Sequence, residues 1–249
     1  MAGIDSYTKF MYHMDGTHGS TTITDSSGNG YNGTCVGSSA LTTLTVKFGT
    51  ASAALNYEYI TFPDDGDVWE FTDQPFTIDF WFLTTNSVGN KWLFSHTTYG
   101  SYWIHIFIDD VTDHVSYNAA SGPSTWIFST TGSHLISINT WYHCALVRNG
   151  SSWKGYINGE EDISNTSASA LSTLAGTRCI GSWGIYYPLQ GCVDELRVSK
   201  GIARWTAPFT PPTEAYSEDV ITKRGIVNRT IVNRTNVSRN IVSGVNRSI

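Results

Sequence analysis

Between residues 5 and 216 the apolar positions recur every second residue, in short runs broken by glycine, asparagine and proline. That period belongs to half-buried strands. In FTIDFWF (76–82), Phe76, Ile78, Phe80 and Phe82 share one face and Thr77, Asp79 and Trp81 the other. YWIHIFID (102–109) sets Tyr102, Ile104, Ile106 and Ile108 against Trp103, His105, Phe107 and Asp109. WYHCALVRNG (141–150) sets Tyr142, Cys144 and Leu146 against Trp141, His143, Ala145 and Val147. KGYINGEE (154–161) ends a strand in Asn158-Gly159, the pair that best suits a two-residue hairpin turn. CVDELRVSK (192–200) predicts a strand with Val193, Glu195 and Arg197 on one face and Asp194, Leu196 and Val198 on the other. No window sustains a 3.6-residue period. The pattern predicts an all-β, two-sheet antiparallel sandwich of about 10–14 strands. WTAPFTPPT (205–213) holds three prolines, which cannot donate to a ladder, and predicts an extended exit strap. The expected division is a sandwich domain over 1–219 and a separate extended tail over 220–249.

The tail has its own rhythm. RGIVNRTIVNRTNVSRNIVS (224–243) places Arg224, Arg229, Arg234 and Arg239 in step with Val227, Val232, Val237 and Val242, one of each per five residues. A strand would throw alternate arginines to opposite sides, and a helix would separate successive ones by about 140°. Neither gives one chain a core. Three solutions remain: disorder until an acidic partner binds, an extended strand along another subunit, or identical tails wound together in a homo-oligomer.

Charge sharpens that contrast. Residues 220–249 carry six of the chain's 15 Lys and Arg and none of its 21 Asp and Glu, leaving nine basic against 21 acidic residues ahead of them. Segments so different in charge have different partners or partner each other. Tracking nucleic-acid phosphates is disfavoured for the tail, which has no aromatic residue for base stacking. No run of 18 apolar residues is present for a membrane span, and the N-terminus shows no basic region followed by an apolar stretch. The four cysteines (Cys35, Cys144, Cys179, Cys192) lack C-x-x-C spacing, which argues against zinc. They are expected to be buried thiols, with Cys179 and Cys192 as the pair to bridge in an oxidising setting.

Four motifs in order, FTIDFWF, WYHCALVRNGSSWKGYINGE, IGSWGIYYPLQGCVDELRVSKGIARW and FTPPTEAY, together with DSSGNGYNGT near the start, resemble the laminin-G-like, concanavalin A-like jelly-roll domains. The resemblance covers about residues 5–216 and is closest to the version common in bacteriophage virion proteins. It implies a jelly roll whose concave face binds glycans or protein surfaces in many relatives, and no particular reaction. The expectation from it is a non-enzymatic virion structural protein, made in the host cytoplasm. Its tail would attach it to other virion proteins or to copies of itself, in a fibre, baseplate or capsid decoration. The alternative is a calcium-assisted, lectin-like adhesion module for cell-surface glycan, and a weaker one is a glycoside hydrolase.

The residues bear unequally on these readings. A retaining hydrolase needs two carboxylates about 5–5.5 Å apart. Glu160, Glu161 and Asp162 follow a turn, where solvation is the ordinary fate, and Asp194 and Glu195 are adjacent and should point to opposite faces. No catalytic residue is assigned. Calcium takes carboxylate, amide and carbonyl oxygens, and the candidate ligands are Asp25, Asn29 and Asn32 in DSSGNGYN, with Asp194 from the VDELRV strand. Asx residues also simply make tight turns. Glycan platforms use aromatic faces, and the candidates are Trp183, Tyr186 and Tyr187 in GSWGIYYPLQG, with Trp103 and Trp126.

Overall fold

The computed structural model describes residues 3–63, 66–98, 102–122, 125–171, 176–183 and 186–217. The pentad tail, with Arg224, Val227, Arg229, Val232, Arg234, Val237, Arg239 and Val242, lies outside the described residues. The strands are β1 (Thr8–Tyr12), β2 (Thr22–Ile23), β3 (Gly33–Cys35), β4 (Ala40–Thr42), β5 (Ser52–Asn56) and β6 (Ile60–Thr61). After the one-turn helix α1 (Gly66–Trp69) come β7 (Phe76–Thr84), β8 (Lys91–Thr98), β9 (Tyr102–Ile108), β10 (His114–Gly122) and β11 (Thr125–Leu135). The last are β12 (Tyr142–Asn149), β13 (Ser152–Ile157), β14 (Glu160–Thr166), β15 (Thr177–Ile180) and β16 (Gln190–Lys200). The count exceeds expectation because strands of two or three residues, such as β2, β3 and β6, are too short to show alternation.

They form two eight-stranded antiparallel sheets. Sheet 1 runs β14-β13-β12-β7-β16-β5-β4, with β1 also pairing β16; sheet 2 runs β11-β10-β9-β8-β15-β6-β3-β2. Every pairing named is antiparallel, and the two sheets pack face to face as a sandwich. The alternations in β7, β9 and β12 hold. Phe76, Ile78, Phe80 and Phe82, Ile104, Ile106 and Ile108, and Cys144 and Leu146 all join one core with Phe10, Tyr12, Trp69 and Phe94. Asn158 and Gly159 both adopt positive φ, 50° and 80°, which closes the β13–β14 hairpin as the Asn-Gly pair requires.

The expected alternation fails in β16. Its pairing with β7 shifts between Asp194 and Arg197, and Glu195 takes φ +50°, so an extra residue is inserted. Val193, Leu196 and Val198 therefore enter the core, while Asp194, Glu195 and Arg197 bond to groups on the outer side. Asp162 also departs from expectation. Glu160 and Glu161 are exposed, but Asp162 is buried, and its Oδ1 accepts from the Ser133 and His134 backbone N–H groups at 2.7 and 2.9 Å. It ties β14 of sheet 1 to β11 of sheet 2, and a side chain on Gly132 would collide with it. All four cysteines are free and buried; Cys179 lies in sheet 2 and Cys192 in sheet 1, so the pair does not bridge.

The strap, residues 201–217, crosses the outer face of sheet 1. Trp205 and Phe209 stack at 4.0 Å, and both meet His143 edge-on. Phe209 N–H donates to the Gly159 carbonyl at 3.0 Å. Under the strap, Arg197 bonds both oxygens of Asp79 (3.1 and 3.3 Å), and Tyr216 Oη donates to Asp79 Oδ2 at 2.6 Å. Burial alone would raise the Asp79 carboxyl; the Arg197 charge, His143 at 3.6 Å and the Tyr216 bond outweigh it and hold it down to about 2. Glu195 accepts from Tyr216 N–H and contacts His13 Nδ1 at 2.7 Å.

Candidate functional site

The outer face of sheet 2 offers different surroundings. Because directly paired residues share a face, the register defines rows across it. Trp126, Ala120, Trp103 and Thr97 form one row, Ser129, Asn118, His105, Ser95 and Cys179 the next, and Thr131, Ser116, Phe107 and Trp92 a third. Trp103 and Phe107 are four residues apart, about 14 Å along an extended strand. The first row ends in Trp126, which is 52% exposed. A bulge places it there: Phe128 pairs Ala119 in the core register, and the shift before Ala120 turns Trp126 outward. Trp103 belongs to that row by backbone register, and its side chain lies outside the described residues.

The third row is the base of an aromatic stack. Trp92 lies on Phe107 at 4.4 Å and 9°, and Tyr187 and Trp183 stack on Trp92 at 4.9 and 5.8 Å. Trp183 and Tyr187 are nearly parallel, at 8°. Trp183 is 37%, Tyr186 61% and Tyr187 46% exposed, whereas Trp92 is only 7% exposed. Residues 183, 186 and 187 are held by backbone bonds: Trp183 and Tyr186 exchange N–H···O bonds at 3.0 Å, and Trp92 N–H donates to the Tyr187 carbonyl at 3.0 Å. Ser95 Oγ donates to the Ser182 carbonyl at 2.8 Å. These bonds fix the platform before any ligand arrives.

Polar groups sit beside it. The Trp92 indole N–H has no hydrogen-bond partner, although a buried donor left unpaired costs about 1–3 kcal/mol. Asn118, in the middle row, accepts from Ser129 Oγ through its Oδ1 at 2.9 Å, which leaves its Nδ2 as the donor. His105 meets Trp92 and Trp183, and burial pushes it down to about 3, so the imidazole is neutral at physiological pH. The arrangement can stack the C–H faces of sugar rings and bond their oxygens. The sequence pointed to Trp183, Tyr186, Tyr187 and Trp126. It missed Trp92 as their base, although the alternation of β9 places Phe107 outward.

The calcium candidates divide. Asp25 and Asn32 come together, with Asp25 N–H donating to Asn32 Oδ1 at 2.9 Å, and Asn29 Nδ2 bonds the Lys9 carbonyl at 2.8 Å. Asp25 Oδ1 accepts from Met11 and Ser27 N–H, and Oδ2 from Tyr31 N–H and Ser27 Oγ. Four donors thus occupy the oxygens a cation would use, and the group locks the turn. Asp194 stands apart, accepting from Lys47, Phe48 and Glu195 N–H. Burial pushes it up to about 8 against those donors. Among the described residues no group of three His, Cys, Asp or Glu is placed to hold a metal. Asp194 and Glu195, the hydrolase pair, are both buried and committed to backbone N–H groups.

Residues 52–204 match the family model described as the concanavalin A-like lectin/glucanases superfamily, Laminin_G_3. Comparison with curated proteins by sequence gave no match. Among solved structures, domain 4 of AbnA, a GH43 extracellular arabinanase from Geobacillus stearothermophilus, in complex with arabinotriose, is 22% identical with a TM-score of 0.63, over 80% of this chain and 95% of that one. The binding domain of Paraclostridial Mosquitocidal Protein 1 is 16% identical with a TM-score of 0.63, over 78% of this chain and 49% of that one. The botulinum neurotoxin serotype D binding domain is 16% identical with a TM-score of 0.59, over 79% and 48%. The chain therefore spans about half the length of the two toxin structures. At these identities the likeness is one of fold.

Proposed function

The chain belongs to the concanavalin A-like lectin/glucanases superfamily, and on that premise we propose that it is a non-enzymatic, lectin-like module that binds a neutral glycan on the outer face of sheet 2. The observation that carries this reading is the Trp183–Tyr187–Trp92 stack, two half-exposed rings on a buried one whose indole N–H awaits an acceptor. Sugar rings would lie on Trp183 and Tyr187, and ring hydroxyls would meet Asn118 and the Trp92 indole. Trp126 would hold the far end of a longer chain.

The structural neighbours support binding over a virion structural role, because two of them are binding domains of toxins and the arabinanase domain is in complex with arabinotriose. Arabinotriose is accordingly the first probe. A glycan array that includes arabino-oligosaccharides should give binding by the intact chain, and Trp183→Ala should weaken it by about 10–100-fold. No binding to any neutral glycan would remove the proposal. Calcium is not part of this reading, since the Asp25 oxygens are filled by protein donors. An assembly role for residues 220–249 stands as a separate proposal, tested by comparing the mass in solution of the full chain with that of a chain ending at 219.

A further inference from the structure

Beside the strap, the outer face of sheet 1 holds a groove of about 510 Å³, within the range of small-ligand sites. It is lined by Trp81, Lys47, Phe48, Trp141, Asn158 and the Pro211–Pro212 pair. The groove is separate from the aromatic platform, which belongs to the other sheet.

Its chemistry is that of a donor site with flat walls. Lys47 Nζ lies 3.8 Å from the centre of the Trp81 ring and 5.2 Å from that of Phe48. Trp81 is only 6% exposed, and its indole N–H has no hydrogen-bond partner. Asn158 Oδ1 accepts from His143 N–H at 2.9 Å, so its Nδ2 is the group turned to a ligand. The acid that faces Lys47 is Asp194, and its Oδ2 accepts the Lys47 and Phe48 backbone N–H groups rather than the ammonium. Burial pushes Asp194 up to about 8, and its charge offsets the burial of Lys47 only in part. Burial also lowers the Lys47 ammonium, a penalty that an arriving anion would offset. A lone ammonium on a flexible stem, with no guanidinium fork, suits one carboxylate. Trp141 and the two prolines offer apolar surface to a ring.

We propose that this groove binds a sugar bearing a carboxylate, a uronic or sialic acid unit, with the carboxylate on Lys47 Nζ and the ring against Trp141 and Pro211. As the Lys47 stem swings with the ligand, a ligand oxygen reaches the Trp81 indole N–H.

The test is calorimetric titration of the full chain with digalacturonate, with N-acetylneuraminate and with neutral galactobiose. At least one acid should bind, and the neutral disaccharide should bind at least about 10-fold more weakly. Which acid binds decides between uronate and sialate. Lys47→Met, which keeps the stem, should weaken the acid about 10-fold. Trp81→Phe, which keeps a ring and removes the N–H, should weaken it with the melting temperature held. Trp183→Ala should leave acid binding intact, so failure here and failure of the platform reading are read separately. Neither acid binding up to about 10 mM, the weak end of useful affinity, would overturn the proposal. Equal binding of the neutral sugar by the Trp183→Ala chain, in which the platform is removed, or unchanged acid binding by Lys47→Met, would overturn it as well.

Discussion

The outer faces of the two sheets start from similar residues and end differently. Both carry aromatic rings, a buried histidine and hydroxyls: Trp81, His143 and Thr77 on sheet 1, Trp92, His105 and Ser95 on sheet 2. On sheet 1 the strap lies across, Tyr216 and Arg197 satisfy Asp79, and Trp205 and Phe209 close over His143. That face has become a second, ion-paired core, which explains why all nine residues of β7 are buried on both sides. On sheet 2 the described chain adds Trp183 and Tyr187, which stack on Trp92 and stay half in solvent. Coverage, more than composition, decides which outward face stabilises the fold and which is left for a ligand.

Removing one partner of the sheet 1 network should have the largest effect. Arg197→Ala strands a buried carboxylate and should cost about 3–5 kcal/mol, read by urea denaturation. Glycan binding by the fraction still folded should be unchanged. Gly159→Ala comes next. Its φ of +80° disfavours a side chain, and the new methyl would collide with the Phe209 carbonyl. A loss of about 2–3 kcal/mol, with faster proteolysis within 201–217, is expected; unaltered strap proteolysis would mean that the hairpin does not hold the strap.

On sheet 2 the order of effects should reverse. Trp183→Ala should weaken glycan binding by about 10–100-fold, or about 1.4–2.8 kcal/mol. Stability should move by no more than about 0.5 kcal/mol, because the ring is more than a third exposed. The buried histidine adds a pH signature. His105 is depressed to about 3 in the folded state, so its contribution is complete above the unfolded value of about 6.5 and is lost as pH falls through the window down to about 3. The slope is about 1.4 kcal/mol per pH unit. Between pH 6.5 and 5, His105→Asn should therefore lose about 2 kcal/mol less than the native chain. His143 is lowered too, with the same sign, while His13, held by Glu195 against burial, is raised and has the opposite sign. The smallest effect belongs to metal removal: EDTA should leave both the melting temperature and glycan binding unchanged, since four protein donors fill Asp25.

What the sequence showed depended on how local the cause was. Alternation in β7, β9 and β12, the Asn158-Gly159 turn and the proline strap arise within a few residues, and all are present. The exposed rings at Trp183, Tyr186 and Tyr187 were legible because glycines and a proline bound their loop. The bulges at Glu195 and before Ala120 were not, because an extra residue is defined only by the partner strand. Asp79 and Arg197 are 118 residues apart, so their pairing, and the closing of sheet 1 by the strap, left no local trace. For the same reason Asp162 read as a solvated turn residue, although it bonds a strand 28 residues away. Arg148, whose guanidinium donates to the carbonyls of Thr72, Gly150 and Ser169, reads as an ordinary charge in the sequence and is buried in the structure.

The most direct measurement follows the tryptophan indole N–H resonances while a neutral oligosaccharide such as arabinotriose is added. The account predicts that the Trp92 indole proton, unpartnered in the free protein, shifts downfield as it gains an acceptor. The Trp183 and Trp126 signals should move with it, and that of Trp205 should stay in place. Saturable binding that leaves Trp92 and Trp183 unmoved and shifts Trp81 or Trp205 would contradict the assignment of the glycan face to sheet 2.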